Sequence, residues 1–293
     1  MVNMKQVFNG SKKSQSGLSL IELMVAMTLG LILLGGIIQI FLSSKQSYNS
    51  VMSSSQVLDN GRLALYFING ATSKAGYWGA DGTIDRTYLS DSGLVADAYT
   101  GLFPDNQWVF GENNDSTDAN VLDGTDELWL RFNGDDDVPM VTCTGDDVSG
   151  SQIAVEHYFV RVLTGTETIP SLVCESTLLN FDPLSGIVTV PGTPVTNSTV
   201  VISGIENMQL QFGILDVLGG DNARFYTANN ISTADWELVN NISISILAAS
   251  DDEVAPQDRT TGYKMLDITT TAPNDRRARR VFNQSTVLRN PNI

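Results

Sequence analysis

The hydropathy pattern separates an apolar N-terminal segment from a mixed remainder. Residues 18–42 contain a single charged side chain, Glu22, among apolar, glycine and uncharged polar residues. A helix of these 25 residues is about 37 Å long, more than the roughly 30 Å of bilayer hydrocarbon, so we predict a transmembrane helix. Ahead of it lie Lys5, Lys12 and Lys13 and no acid. The N-terminus is therefore predicted to stay in the cytoplasm while the rest of the chain crosses.

A helical pattern continues beyond the apolar segment. Apolar residues fall on one helical face at Tyr48, Val51, Leu58, Leu65 and Ile68. The serine-rich residues 43–55 are an alternative linker, and Asn60-Gly61 is an alternative turn, but the stripe keeps its phase across both. A basic last turn followed by Gly76 is a typical helix end. We therefore predict one helix over residues 18–75.

After Gly76 the apolar positions alternate with a period of two, which is typical of strands with one buried face. The clearest alternation covers residues 128–132, 208–214 and 242–246. Further strand candidates are 153–163, 187–190, 199–203 and 281–288, and loops rich in Asp, Asn and Gly are 111–126 and 133–137. The fold class predicted is α+β, with the long N-terminal helix packed on an antiparallel β-rich domain.

The charge of the chain is strongly acidic. The 293 residues carry a net charge of −16, and removing the residues up to Gly17 leaves 14 basic and 33 acidic side chains, or −19. Nucleic-acid binding by the domain as a whole is therefore unfavourable. A solvated surface is the favoured interpretation, with a cationic partner or calcium as the alternatives. Residues 276–280 contain four arginines, for which we favour internal charge pairing over contacts with lipid head groups, DNA or an acidic neighbour.

The two cysteines, Cys143 and Cys174, are 31 positions apart. A disulfide is favoured if this part of the chain is exported, because oxidised pairs persist outside the cytosol. On a loop-entropy model such a crosslink contributes roughly 3.5 kcal/mol. The alternatives are a metal pair or two unrelated buried thiols, but there is no CxxC spacing and one histidine in the chain.

The sequence offers little support for an enzyme. His157 lies in an alternating, strand-like segment, where a structural or surface histidine is the favoured interpretation. No P-loop, GxGxxG or HExxH motif is present. The acidic clusters 135–137, 146–147 and 251–253 lack the spacing of an EF-hand loop and are interpreted as solvated loops. We predict no catalytic residue, no cofactor and no metal site.

Residues 12–26 resemble the class III signal of type IV pilins, in which a glycine precedes an apolar run with a glutamate at its fifth position. The resemblance implies that a prepilin peptidase cleaves between Gly17 and Leu18 and methylates the Leu18 amine. It also implies that Glu22 meets that amine on a neighbouring subunit. The alternative is that Glu22 is tolerated near the membrane interface by snorkelling or local water. Leu18 and Gln39 stand where major pilins usually have phenylalanine and proline, which favours a minor subunit.

The signal completes the predicted organisation of the chain. It comprises a cytoplasmic leader at 1–17, a transmembrane and filament-core helix at 18–42, an amphipathic continuation at 43–75 and a β-rich periplasmic or extracellular domain at 76–293. A secretory signal peptide does not fit, because such a signal has a shorter apolar stretch followed, rather than preceded, by its cleavage site.

The remainder of the chain resembles the PilW-type minor pilins. The blocks that carry this resemblance are 60–65, 75–79, 126–132, 143–145, 157–160, 172–174, 204–213, 236, 280–282 and 288–290. The family implies a minor pilin that initiates type IV pilus assembly and lies at or near the tip, sometimes beneath an adhesin. Its implied partners are other minor pilins, the major pilin and the inner-membrane assembly platform. The alternatives are a minor pseudopilin of a type II secretion system and a tip-exposed adhesion or DNA-binding module.

Overall fold

The computed structural model describes most of the chain. The described residues are 17, 19–77, 94–95, 107–113, 120–162, 169–182, 187–189, 196–214, 224–254 and 261–289. Leu18, residues 163 and 190 of the predicted strands, and residues 78–79 and 290 of the PilW-like blocks lie outside them. The chain forms two compact units, Met1–Asn49 and Ser50–Ile293. Each unit is described by itself below.

The helix α1 covers Leu20–Lys74 and passes through Asn60-Gly61 without a break. It ends before Gly76, whose φ of 72° lies in the left-handed region that glycine tolerates best and that commonly closes a helix. The N-terminal part of α1 has a mean hydropathy of 2.3 over its most apolar window, none of which is buried. By length and composition this helix can cross a membrane.

The rest of the described chain is almost entirely β-structure. The strands are β1 Leu94–Val95, β2 Val109–Glu112, β3 Glu127–Asn133, β4 Met140–Val141, β5 Asp147–Val148, β6 Gln152–Val162, β7 Pro170–Asp182, β8 Ile187–Thr189, β9 Thr196–Ser203, β10 Ile205–Ile214, β11 Arg224–Tyr226, β12 Val239–Glu253, β13 Gly262–Met265, β14 Ile268–Thr271 and β15 Arg277–Val287. Two short 3₁₀ segments, Ala228–Asn230 and Thr233–Leu238, precede β12.

The strands form two main sheets. The larger has the order β1-β8-β7-β6-β3-β2, with β9 also paired to β7, and the smaller has the order β11-β10-β12-β15. Two hairpins, β4–β5 and β13–β14, lie outside these sheets. All described pairs are antiparallel except β1 with β8. The predicted α+β class, with a long N-terminal helix and an antiparallel domain, is confirmed.

One hydrophobic cluster joins the second half of α1 to both sheets. Ile68 of α1, Leu130 of β3, Leu210 of β10 and Ile244 of β12 are members and are almost fully buried. Burying each such side chain contributes about 1.5–3 kcal/mol before conformational entropy is counted. The core therefore lies where the helix and the two sheets meet within the second unit.

The buried face of α1 differs from the predicted stripe. Leu65 and Ile68 are buried as predicted, but Tyr48 and Val51 are 64% and 66% exposed. The residues buried instead are mostly small: Ser53, Val57, Gly61, Ala64, Ala71 and Thr72. The helix lies so close to β15 that a Cβ on Gly61 would be 2.2 Å from the Phe282 ring. Close packing on the sheet, rather than side-chain size, selects the buried face.

The prediction of one buried face per strand is wrong for β3. Every residue of β3 is buried, because this central strand is covered on both faces. Arg131 lies on the face that the alternation left unburied, yet it is 2% exposed, donates to the Gln107 carbonyl and lies over the Trp108 ring. The loop prediction 111–126 also fails at its start, since residues 111 and 112 belong to β2, and Asn133 ends β3 rather than opening a loop.

Candidate assembly site

Glu22 lies in the first turn of α1 and is exposed. Its backbone N–H donates to Ser19 Oγ at 3.2 Å, and the Ser19 N–H donates to Glu22 Oε2 at 3.4 Å. This reciprocal pair is a capping box, which satisfies two backbone donors that a helix start leaves unpaired. The carboxylate also complements the positive end of the helix dipole. The Ser-x-x-Glu spacing of residues 19–22 is visible in the sequence and is sufficient to predict this cap.

The surroundings of Glu22 are apolar and exposed. Large side chains from Leu20 to Leu42 leave about half or more of their surface uncovered. Apolar surface of this extent requires lipid or another protein. Among the described residues no basic side chain forms an ion pair with Glu22. Gly17 is exposed, whereas the predicted cleavage and methylation at Leu18 lie outside the described residues.

Cys143 and Cys174 are joined by a disulfide, which confirms the favoured interpretation of this pair. Their Cα atoms are 6.4 Å apart, which is within the usual range. Cys143 lies in the turn between β4 and β5, and Cys174 lies within β7. The Glu156 carboxylate lies within 4.8 Å of both sulfurs. Because both sulfurs are bonded to each other, this group does not offer the thiolates that a metal pair would need.

Glu156 of β6 is a fully buried carboxylate with three donors. Its Oε1 accepts from Lys74 Nζ at 2.8 Å and from the Cys143 N–H at 2.8 Å, and its Oε2 accepts from the Tyr158 hydroxyl at 3.0 Å. Burial, followed by the nearby Glu156 charge, raises the pKa of Tyr158 well above its usual value. The phenol therefore stays protonated and remains a donor to the carboxylate.

His157 is held by its neighbours on the larger sheet. Its ring stacks on Trp129 at 4.1 Å and on Phe159 at 4.5 Å between centroids, and its Nε2 lies 2.7 Å from Glu127 Oε2. Trp129 packs further against Phe110, with 5.7 Å between centroids. These contacts hold the ring and give Nε2 a partner, in agreement with the structural interpretation of this histidine.

The arginines of residues 276–280 are largely paired inside the molecule. Arg276 bonds Glu253 at 3.1 Å, and Arg277 lies 3.6 Å from Asp275. The predicted internal charge pairing is therefore confirmed for these two. Arg280 places its guanidinium over the Phe282 ring at 5.8 Å.

Arg279 is the most buried member of this stretch, with 1% of its side chain exposed. It donates to both oxygens of Glu206 and to both oxygens of Asp275, at 2.5 to 2.8 Å. Hydrogen bonds from Arg279 hold the pKa of Asp275 below its usual value. Burial lowers the pKa of Arg279, but its bonds to the two carboxylates outweigh that effect and leave the pKa raised.

The acidic residues 135–137 and Asp146 organise turns, as predicted, but the prediction of loops is wrong for residues 251–253, which end β12, and for Asp147, which begins β5. Asp135 accepts from the Tyr77 hydroxyl at 2.6 Å and from the Asp137 N–H at 2.8 Å, and Asp136 accepts from the Gly150 N–H at 2.8 Å. Hydrogen bonds to Asp146, first from the Thr144 side chain and then from Asn197, lower the pKa of this carboxyl. Their carboxylates are thus used in local contacts of the described chain.

Two family models match the N-terminal and C-terminal parts of the chain. The model of the prokaryotic N-terminal methylation motif matches residues 12–38, and that of the type IV pilus-assembly protein W family, PilW, matches residues 157–290. Among solved structures, a type IV-like pilin from Thermus thermophilus aligns with a TM-score of 0.45 and 14% identity, covering 80% of this chain and 98% of that one. A comparison with curated proteins gives no match.

The methylation motif on an exposed apolar helix, followed by an antiparallel domain, defines a type IV pilin-like protein. Within that class, the match of residues 157–290 to the PilW family model supports a minor pilin of the PilW type. The family and the signal imply membrane anchoring, association with a pilus, processing by a prepilin peptidase and work with other pilins. They point to a structural protein rather than an enzyme.

Proposed function

We propose that this minor pilin helps initiate type IV pilus assembly and lies at or near the pilus tip. The observation that carries the proposal is the single carboxylate at the start of an exposed apolar helix, five residues beyond Gly17. A charge at membrane depth costs about 2.5–3.5 kcal/mol on insertion scales, so it needs a partner. The partner proposed is an amine that exists only after cleavage.

Processing and docking are linked through Leu18 and Glu22. Cleavage after Gly17 by the prepilin peptidase leaves Leu18 with a free, then methylated, amine that is largely cationic at neutral pH. Ser19 stays in the mature chain, so the capping box is retained. The described bond to this box uses Glu22 Oε2, and Oε1 accepts no hydrogen bond from the described residues. This supports Oε1 as the acceptor for the Leu18 amine of a neighbouring subunit.

The orientation proposed has the leader in the cytoplasm and the domain in the periplasm before assembly. Three leader lysines support a cytoplasmic N-terminus. The Cys143–Cys174 disulfide supports an oxidising compartment for the second unit. From the inner membrane the subunit joins other minor pilins, the major pilin and the assembly platform, and an adhesin is a further candidate neighbour at the tip.

Deletion of the gene followed by complementation tests this proposal. We expect loss of surface pili, restored by the wild-type chain, with unchanged secretion of proteins that use a type II system. Loss of secretion with normal pili would instead identify a minor pseudopilin. Gold-labelled antibody against the second unit should mark pilus ends in the complemented strain, and even labelling along the shaft would contradict the tip position.

A DNA-binding or adhesive role at the tip is a separate hypothesis that can be tested with variants of the same protein. The acidic second unit and the internal pairing of Arg276, Arg277 and Arg279 do not favour DNA. Comparing DNA retention by the wild-type chain and by an Arg276→Gln variant at low salt should show no difference. A clear loss of retention would revive the DNA-binding alternative.

A further inference from the structure

We propose that the Cys143–Cys174 disulfide locks the last turn of α1 to the larger sheet through Glu156, so that oxidation and docking of the helix end are coupled. The helix clamp is defined as Lys74, Cys143, Glu156 and Cys174. All four lie in the second unit. This role goes beyond the crosslinking of a loop, and it does not depend on the position of the subunit in a pilus.

Lys74 connects the end of α1 to three other segments. It is the last residue of the helix, and its Nζ donates to Glu156 Oε1 at 2.8 Å and to the Val141 carbonyl at 3.0 Å. The same ammonium lies 4.4 Å from the centroid of the Phe132 ring. One cation thus joins the helix end to β6, to the β4–β5 hairpin and to β3.

Glu156 makes this connection depend on the hairpin. Its side chain is 0% exposed, and a buried carboxylate is stable only when its charge and its lone pairs are matched. Lys74 supplies the charge, while the Cys143 N–H supplies a second bond to the same oxygen at 2.8 Å. If the backbone at Cys143 moves away, Glu156 loses a donor and the Val141 carbonyl leaves Lys74.

The disulfide holds Cys143 in that position. Cys174 lies opposite Tyr158 in the β6–β7 ladder, two positions from Glu156, so the crosslink fixes Cys143 directly above the carboxylate. Two side-chain bonds also join this turn to the large sheet: the Thr144 and Ser176 hydroxyls lie 2.5 Å apart, and the Asn197 amide donates to Asp146 at 2.8 Å. They are partly or fully exposed, so we expect them to be weaker than the covalent link.

The covalent step balances as a thiol–disulfide exchange. The two thiols lose two electrons and two protons, and the sulfurs form one bond. A protein or small-molecule disulfide takes up the electrons and protons and becomes a dithiol. Before this exchange, the Cys143 N–H is not held in place as a donor to Glu156 in the helix clamp. The last turns of α1 therefore open more often. After it, the helix end is held to the sheet.

Hydrogen exchange on the full chain in detergent micelles tests the coupling. We expect amides of residues 68–74 to exchange at least about tenfold faster in Cys143→Ser/Cys174→Ser than in the oxidised wild type. Amides of β10 and β12 report the loss of global stability and should be accelerated less than those of residues 68–74. Unchanged rates at 68–74, or equal acceleration in β10 and β12, would overturn the proposal, because the crosslink would then act only through loop closure or global stability.

Two further measurements keep the test independent of how well the double serine variant folds. Reducing the folded wild type with a dithiol should accelerate the same amides without any mutation. Lys74→Met, with the disulfide intact, should accelerate them as well, whereas the matched control Lys45→Met should not. In Lys74→Met, removing the cysteines should add little further acceleration, since the clamp is already open. If Lys74→Met and the loss of the cysteines accelerated exchange at residues 68–74 by independent factors that multiply, the coupling would be contradicted.

Discussion

The two halves of α1 use opposite kinds of side chain. From Leu20 to Leu42 the helix is built of large apolar residues that are exposed, whereas from Ser53 to Thr72 its buried face is mostly small residues. Both halves have the same secondary structure. The large apolar residues of the first half are therefore available for contacts with lipid or another protein. The small residues of the second half allow the helix backbone to pack close to the sheet.

The glycines of α1 also differ between its two halves. A Cβ on Gly30, Gly35 or Gly36 would meet no atom within 4 Å, whereas one on Gly61 would overlap the Phe282 ring. Glycine in the first half is therefore not required by any contact within the described chain. In the second half, close packing requires glycine at Gly61, whereas a Cβ on the exposed Gly70 would meet no atom within 4 Å. Substitutions in the second unit should change folding stability, and substitutions in the first unit should change assembly alone.

The largest effect on stability is expected at Arg279. Arg279→Met leaves two neighbouring carboxylates, Glu206 at 10% and Asp275 at 17% exposed, without their cation. We expect a loss of about 3–5 kcal/mol in the free energy of unfolding. Urea unfolding of the full chain in micelles, followed by tryptophan fluorescence, measures this, because all four tryptophans lie in the second unit.

The matched control for Arg279 is Arg276→Met. Arg276 and Glu253 are each 45% exposed, so this change should cost less than about 1 kcal/mol. Equal effects at the two arginines would show that burial does not decide their contributions.

Gly61 gives the next largest effect. Gly61→Ala should lower the free energy of unfolding by about 1–3 kcal/mol, since either the helix or the Phe282 ring must move. Gly36→Ala, in the same helix, should leave the unfolding of the second unit unchanged. The same urea titration checks both variants. A wild-type unfolding curve for Gly61→Ala would mean that small residues do not set the approach of helix and sheet.

A smaller effect is expected from the pH dependence of Asp275. Its pKa is lowered in the folded state, so the carboxylate stabilises the fold above its unfolded pKa of about 3.9, and this contribution disappears as the pH falls through the folded pKa. At neutral pH the free energy of unfolding of the wild type should exceed that of Asp275→Asn by on the order of 1 kcal/mol. Unfolding measured from pH 6 downwards should show this difference shrinking below about pH 4. A difference that grows towards acid would contradict the assigned sign.

Much of the fold was predictable because it rests on local periodicity. Helix α1 begins and ends within two residues of the predicted 18–75, since apolar spacing, Lys74 and Gly76 all act locally. The strands β6, β9, β10, β12 and β15 overlap their predicted ranges for the same reason. The strand β7 was not predicted, because its central position leaves both faces buried and removes the alternation that marks a half-exposed strand.

The contacts between elements were not predictable in the same way. The face of α1 that packs on β15 depends on the close approach at Gly61, which has no signature in apolar spacing. The sequence identified Cys143 and Cys174 as a pair but not the position of Glu156 beside them, since that requires the β6–β7 register. The capping box at Ser19 and Glu22 was local and could have been found from its spacing alone.

Glu22 tests the central contrast most directly. The measurement is the amount of Glu22→Gln chain recovered in sheared pili, relative to the wild type, together with the urea unfolding of its second unit. We predict unchanged unfolding and at least about a tenfold drop in recovery, because the amide keeps the shape but cannot form the charge pair proposed with the Leu18 amine. Normal recovery of Glu22→Gln in pili would contradict the account, since the first half of α1 would then dock without its charge pair.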